Sequence, residues 1–362
     1  MATTLVRGRI KAQPEDFVVE EIPAYEPSGE GTHLFLHFEK KNLTTDAAVR
    51  AITRALGVEM REVGIAGMKD KVAVTTQWVS VPAPPRAQDI EAKAKALELE
   101  GIRVLEAKRH GNKLKTGHLR GNRFDIVVRG VAPGAVAEAV ATIERIAREG
   151  VPNAFGVQRF GKEGDNAQKA RAWLTGQARA PGDPRLRRFH FSALQSAVFN
   201  AVLDARVADG TWAEPQEGDV LKKEDTGGLF LCTDVQADRE RAGRGELCPT
   251  GPIVGDKMRS PEGAVRALEE RIAAPWLEGV DLQRARSLGE GTRRALRLSV
   301  TECTVAEVMD GERPFEGDRE EQGRDLRVRF VLPKGAYATT VLSNAFDLVD
   351  GSRETDTRTE EE

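Results

Sequence analysis

A strand-forming alternation returns near the far end of this chain, after a long stretch of different texture. Leu326, Val328, Phe330 and Leu332 alternate with Arg327, Arg329 and Val331, the period-two pattern of a half-buried strand. It matches the residues before Gly150, where 17–22, 33–38, 72–81, 102–107 and 124–129 all read as strands. Helical signals lie between them. Thr45 is positioned to cap a helix whose apolar face is Val49, Ile52, Ala55 and Leu56 and whose end is Gly57, and further helices are expected near 88–98 and 134–148. From Gly150 the pattern changes. A helix near 165–176, a break at PGDPRLRR and a strong amphipathic helix over 192–209 are followed by Gly-, Pro- and charge-rich residues 214–260, expected to form short strands and turns, and by more helix to about Gly289. This order predicts an α+β fold: a β-rich domain of residues 1–149 and 301–349, interrupted by an insert of residues 150–300. An acidic tail, 350–362, is expected to be disordered.

A chain of 362 residues is long enough for two domains, and the net charge of −3 carries no general appeal to nucleic acid. Local charge says more. Arg103, Lys108, Arg109, Lys113, Lys115, Arg120, Arg123 and Arg129 face only Glu106 and Asp125 within their stretch, and the segment from Arg159 to Arg188 is similarly basic. The balancing acids sit in 310–325 and in the tail. Such segregation can focus a positive field on one face. Cys232, Cys248 and Cys303 are far apart and show no metal-ligand spacing, which points to a reducing compartment. His33 and His37 fall on one side of a predicted strand and are expected to be structural, so no metal is predicted. No signal peptide and no apolar run of about 20 residues is present, so a cytoplasmic protein without a membrane partner is expected. The absence of a coiled-coil seam favours a monomer.

The most chemically pointed segment is GIAGMKDKVAVTTQW, residues 64–78. Gly64 and Gly67 are expected to let the backbone turn, and Lys69 and Lys71 flank one carboxylate, Asp70, just before a strand. An acid flanked by cations suits nucleophilic or proton-abstracting work. A bare KDK in a surface turn would have no chemistry of its own, so the neighbouring residues must decide.

Four segments decide it: KAQPEDFVVEE, GMKDKVAVTTQW, GNRF with VPNAFGVQRFG close behind, and LPKGAYATTVL. Together, from about Lys11 to Leu342, they resemble the TruD family of tRNA pseudouridine synthases, which isomerise uridine 13 in the D arm of certain tRNAs. The resemblance implies a pseudouridine synthase catalytic domain, a mixed and mainly antiparallel sheet with flanking helices, interrupted by an inserted α/β TRUD domain. It puts the catalytic aspartate on Asp70 and substrate contacts on Phe17, Asn122 and Tyr337, with Lys69 and Phe124 lining the same site. Tyr337 departs from the phenylalanine more usual there, and Ala154 stands where an aromatic is common. The implied partner is tRNA, gripped through its phosphates by the basic segments.

Uridine holds its base through nitrogen and pseudouridine through C5, so the reaction needs no oxidation and no group donor. No cofactor is expected, and the chain carries neither a dinucleotide fingerprint nor a phosphate-binding GxxxxGK[ST] loop. Asp70 would attack the sugar or the base, or take the ribose 2′ proton. The target must leave its stack to reach it. Two other functions are weighed: a non-catalytic tRNA-binding protein using the same basic face, and a glycoside or nucleoside hydrolase using Glu15, Asp16, Glu20 and Glu21. Those four acids are expected to form a solvated face.

Overall fold

The computed structural model describes residues 5–83, 89–308 and 323–352. Most of the acidic stretch 310–325, and the tail from residue 353, lie outside the described residues. The chain divides into two compact units, one formed by the residues up to Arg148 and from Val300 onward, the other by Glu149–Ser299.

The first unit opens with strands β1 (Val6–Ile10), β2 (Phe17–Pro23) and β3 (His33–Lys41), then helix α1 (Thr45–Leu56). Strands β4 (Gly64–Ile65) and β5 (Val74–Pro82), helix α2 (Ile90–Lys95), strands β6 (Ile102–His110) and β7 (Leu119–Val131), and helix α3 (Val136–Glu149) follow. The cap of α1 is Thr44, whose side chain accepts from Ala47 N at 3.1 Å. Thr45, expected in that role, is buried instead and supports the Asp70 loop. Gly57 closes the helix in the left-handed region (φ 69°), where glycine carries no Cβ penalty.

The second unit contains β8 (Val151–Pro152), α4 (Asn166–Leu174), α5 (Pro184–Ala208), β9 (Val220–Lys223), β10 (Leu229–Leu231), α6 (Val235–Gly243), β11 (Leu247–Ile253), α7 (Gly263–Leu277), β12 (Thr292–Ala295) and β13 (Arg297–Leu298). An antiparallel sheet in the order β10-β9-β11-β12 packs beside α5, and β13 pairs with β8. Helix α5 starts at Pro184, inside the PGDPRLRR segment read as a break. Proline at the first helical position loses no hydrogen bond, and Asp183 caps the helix by accepting from Arg185 N at 2.8 Å.

The chain then returns to the first unit as β14 (Thr301–Glu307), β15 (Arg324–Pro333), α8 (Ala338–Leu342) and β16 (Phe346–Asp350). The main sheet runs β14-β15-β7-β2-β5-β3-β6, with β1 between β16 and β7 and β4 added to β5. It is mixed. β2 with β5 and β1 with β16 are parallel, and the other pairs are antiparallel. The alternation seen at Leu326, Val328, Phe330 and Leu332 buries all four on one face of β15. No helix among the described residues is long and apolar enough to cross a membrane.

Candidate active site

Strands β2 and β5 pair only over Val18–Glu20 and Val74–Thr76. Beyond that point the pairing stops, and Trp78 N donates instead to Glu21 Oε1 at 3.2 Å. The Asp70 loop lies at this opening. Its backbone is pinned from below: Lys69 N donates to Thr45 Oγ1 at 2.9 Å, and that hydroxyl donates to Gln77 Oε1 at 3.0 Å. Both Thr45 and Gln77 are fully buried. Gly64 serves close approach rather than a turn, since a Cβ there would lie 2.1 Å from Leu114 O. Neither Gly64 nor Gly67 has a positive φ.

Lysines surround the loop in an arrangement the sequence did not disclose. Lys11 Nζ donates to Asp70 Oδ1 at 3.1 Å, and Lys40 Nζ donates to the Asp70 carbonyl at 2.6 Å. Lys69 Nζ meets Glu21 Oε2 at 2.6 Å, both side chains nearly inaccessible. The cation on the Asp70 carboxylate is therefore Lys11, whereas Lys69 is committed to Glu21 and Lys71 is exposed. Lys69, expected to line the site, thus has its ammonium on Glu21 beneath the loop and not on Asp70. Burial pushes the Lys40 ammonium down to about 8; Asp70 opposes the shift and Lys69 adds to it.

Asp70 is half exposed, at 52% of its side chain, while Lys11 beneath it is 10% exposed. Lys11 Nζ also stands 4.3 Å over the ring of Phe17, which meets Phe124 edge-on at 6.3 Å between centroids. Both rings are buried, at 2% and 5% exposure, so neither offers a free face for a base while Lys11 stays in place. Asn122 is on the same sheet face as Phe124, opposite Glu21 on β2 and Leu332 on β15. Its Oδ1 is buried and has no hydrogen-bond partner among the described residues.

Tyr337 stands 67% exposed at the start of α8, on the connection that leaves β15 just after Leu332 pairs with Asn122. The two loops share a neighbour: Gly117 N donates to Ala66 O at 2.8 Å, and Gly117 O accepts from Lys334 Nζ at 3.2 Å. Lys115, Arg120 and Lys334 are exposed around that point.

Other expectations change once partners are visible. Asp16 and Glu21 do not belong to a solvated acidic face. Asp16 is fully buried and accepts two bonds from Arg129, at 2.6 and 2.8 Å, and Glu21 holds Lys69. Much of the basic stretch is neutralised as well: Arg103 pairs with Glu39, Arg109 with Glu91, and Arg123 with Glu20 and Glu302. Lys11 and Lys40 are the site residues that sequence reasoning missed, and Glu21 was weighed only as a hydrolase acid, not as the partner of Lys69. Lys11 and Glu21 stand inside KAQPEDFVVEE, which was the available signal; Lys40 had none.

The model of the family described as tRNA pseudouridine synthase D (TruD) matches residues 1–170 and 169–345 of this chain. The chain belongs to the TruD family. Within that family, the chain is 48% identical over 341 residues to a tRNA pseudouridine synthase D from Anaeromyxobacter sp. (strain Fw109-5), covering 92% of this chain and 91% of the relative. A tRNA pseudouridine synthase D from Thermus thermophilus is 41% identical over 337 residues, covering 93% of this chain and 88% of the relative. The TruD fold itself is matched by a crystal structure from Methanosarcina mazei, with TM-score 0.75, 24% identity, and coverage of 98% of this chain and 96% of that one.

Proposed function

We propose that this TruD member isomerises uridine to pseudouridine in tRNA, at position 13 of the D arm, with Asp70 as the essential carboxylate. The observation that carries this reading is the state of Asp70: half open to solvent, with its carboxylate on a buried ammonium and its carbonyl on another. A carboxylate held this way cannot swing freely, and it meets an incoming sugar or base at a set position.

The reaction balances without a co-reactant. The N1–C1′ bond breaks, the uracil turns, C5 bonds to C1′, the C5 proton leaves and N1 gains one. Asp70 attacks the sugar or base, or removes the 2′ proton. The unpaired Oδ1 of Asn122 is an acceptor suited to a uracil N–H. Tyr337, exposed on its loop, supplies a ring for an everted base, and Phe17 and Phe124 shape the floor under Lys11. The first unit is the catalytic domain, and the inserted unit helps to hold the RNA. The protein works as a monomer in the cytoplasm.

The test is tritium release from tRNA labelled at uridine C5, with the wild type and Asp70→Asn. Loss of about a thousandfold or more in turnover, with tRNA binding kept, is the expected result. Turnover by the variant near the wild-type rate overturns the role of Asp70. A wild type that binds tRNA and releases no tritium indicates a binding protein instead.

A further inference from the structure

The inserted unit contains two guanidinium groups that share one aromatic ring and have no counter-charge among the described residues. Arg294 lies 4.1 Å from the centroid of Phe155 and Arg159 lies 5.2 Å from it. Arg294 donates to Asn153 Oδ1 at 2.6 Å, and Arg159 donates to Ser192 Oγ at 3.3 Å. Neither meets a carboxylate among the described residues. Two arginines of the same unit that are more deeply buried are fully neutralised. Arg293, adjacent in sequence, donates two bonds to Glu269 at 2.6 and 2.7 Å, and Arg206 donates to Asp219 at 2.9 and 3.0 Å. Buried charge without a partner is costly, and like charges placed together add to the cost. Burial and, to a lesser extent, Arg159 push the Arg294 guanidinium down to about 10.

The ring beneath is rigidly held. Phe155 N donates to Asn200 Oδ1 at 2.9 Å, its carbonyl accepts from Asn200 Nδ2 at 3.0 Å, and its edge meets Phe199 at 5.4 Å. Asn153, which orients Arg294, itself donates to Ala295 O at 2.9 Å. Phe155, Arg159 and Arg294 all retain some exposure, and Val157 beside them is 83% exposed. A preorganised cationic pair on a fixed ring, open at one side, matches a phosphate oxygen set.

We propose that Arg159 and Arg294, mounted on Phe155, form a subsite for a phosphodiester of the RNA substrate. This rests on the tRNA reading above. The full chain is titrated with tRNA at several KCl concentrations, as wild type, Arg159→Gln and Arg294→Gln. Each substitution is expected to weaken binding about tenfold and to lower the salt slope by about 1. Arg159→Gln, which removes a like-charge repulsion, is expected to hold or raise the melting temperature of the free chain. Wild-type slopes in both variants overturn the proposal, as does a lowered melting temperature in Arg159→Gln with an unchanged slope. If Arg294→Gln does not fold, Arg159→Gln decides alone. Melting with and without pyrophosphate separates the two readings. If the wild type fails to bind tRNA, the proposed function fails and the anion subsite is judged by pyrophosphate alone. A pyrophosphate shift that disappears in Arg159→Gln then still supports the anion site, and its absence in the wild type overturns it.

Discussion

Lys11 Nζ lies 3.1 Å from Asp70 Oδ1, joining residues 59 apart in sequence, and the same ammonium caps the ring of Phe17. One cation therefore sets both the acid and the aromatic floor. Lys11 adopts a left-handed backbone (φ 54°), so Asn, which tolerates that region, is the substitution that removes the charge with least backbone strain. Lys11→Asn is expected to lower kcat by about 10- to 100-fold through misplacement of Asp70, with KM changing less. Steady-state tritium release checks it, and an unchanged kcat removes Lys11 from the positioning role.

The Lys69–Glu21 pair is buried, so breaking it differs from removing it. Glu21→Gln leaves an unpaired ammonium and is expected to cost about 3 to 5 kcal/mol, whereas the double variant Glu21→Gln with Lys69→Met recovers most of that loss. Urea unfolding of the three proteins measures both. Equal destabilisation in the single and double variants contradicts the pairing argument.

Lys40 predicts a pH dependence. Its ammonium loses a proton at about 8 in the fold and near 10.5 in the unfolded chain. Between those values the unfolded state binds more protons, so stability from this group rises with pH from about 8 to 10.5 and is flat outside that window. Lys40→Met is expected to lack this rise, and also to lose about tenfold in activity because the Asp70 carbonyl loses its donor. Denaturant midpoints measured at intervals from about pH 7 to 10 for both proteins test the first expectation. Parallel curves refute it.

Tyr337 is expected to act through its ring. Tyr337→Ala should weaken tRNA binding by about 1 to 3 kcal/mol, and Tyr337→Phe should leave it near wild type. Filter binding distinguishes them. A loss in Tyr337→Phe equal to that in Tyr337→Ala makes the hydroxyl the working group.

Local pattern made much of the fold legible. The alternation at 326–332, the Gly57 stop and the strand after Asp70 all follow from neighbours in sequence. The misreadings are local as well. Thr44 and Thr45 are chemically alike, and only burial of Thr45 under the Asp70 loop tells the cap from the support. The start of α5 was hidden because proline ends one helix and begins another with the same side chain.

Charge was the least legible property. A count of basic residues cannot distinguish Arg129, locked on buried Asp16, from Arg120, exposed beside the Tyr337 connection. Nor can it tell Arg293, neutralised by Glu269, from Arg294 next to it, which meets no acid among the described residues.

The order of residues along the chain determined its membership of the TruD family and Asp70 as the acid to examine, because each motif is contiguous and chemically distinct. The three-dimensional arrangement alone decided which lysine reaches that acid, which acid takes Lys69 and which arginines stay unneutralised. The reason is geometric: these partners meet across 59 and 48 residues through sheet register and burial, and no short-range periodicity encodes them.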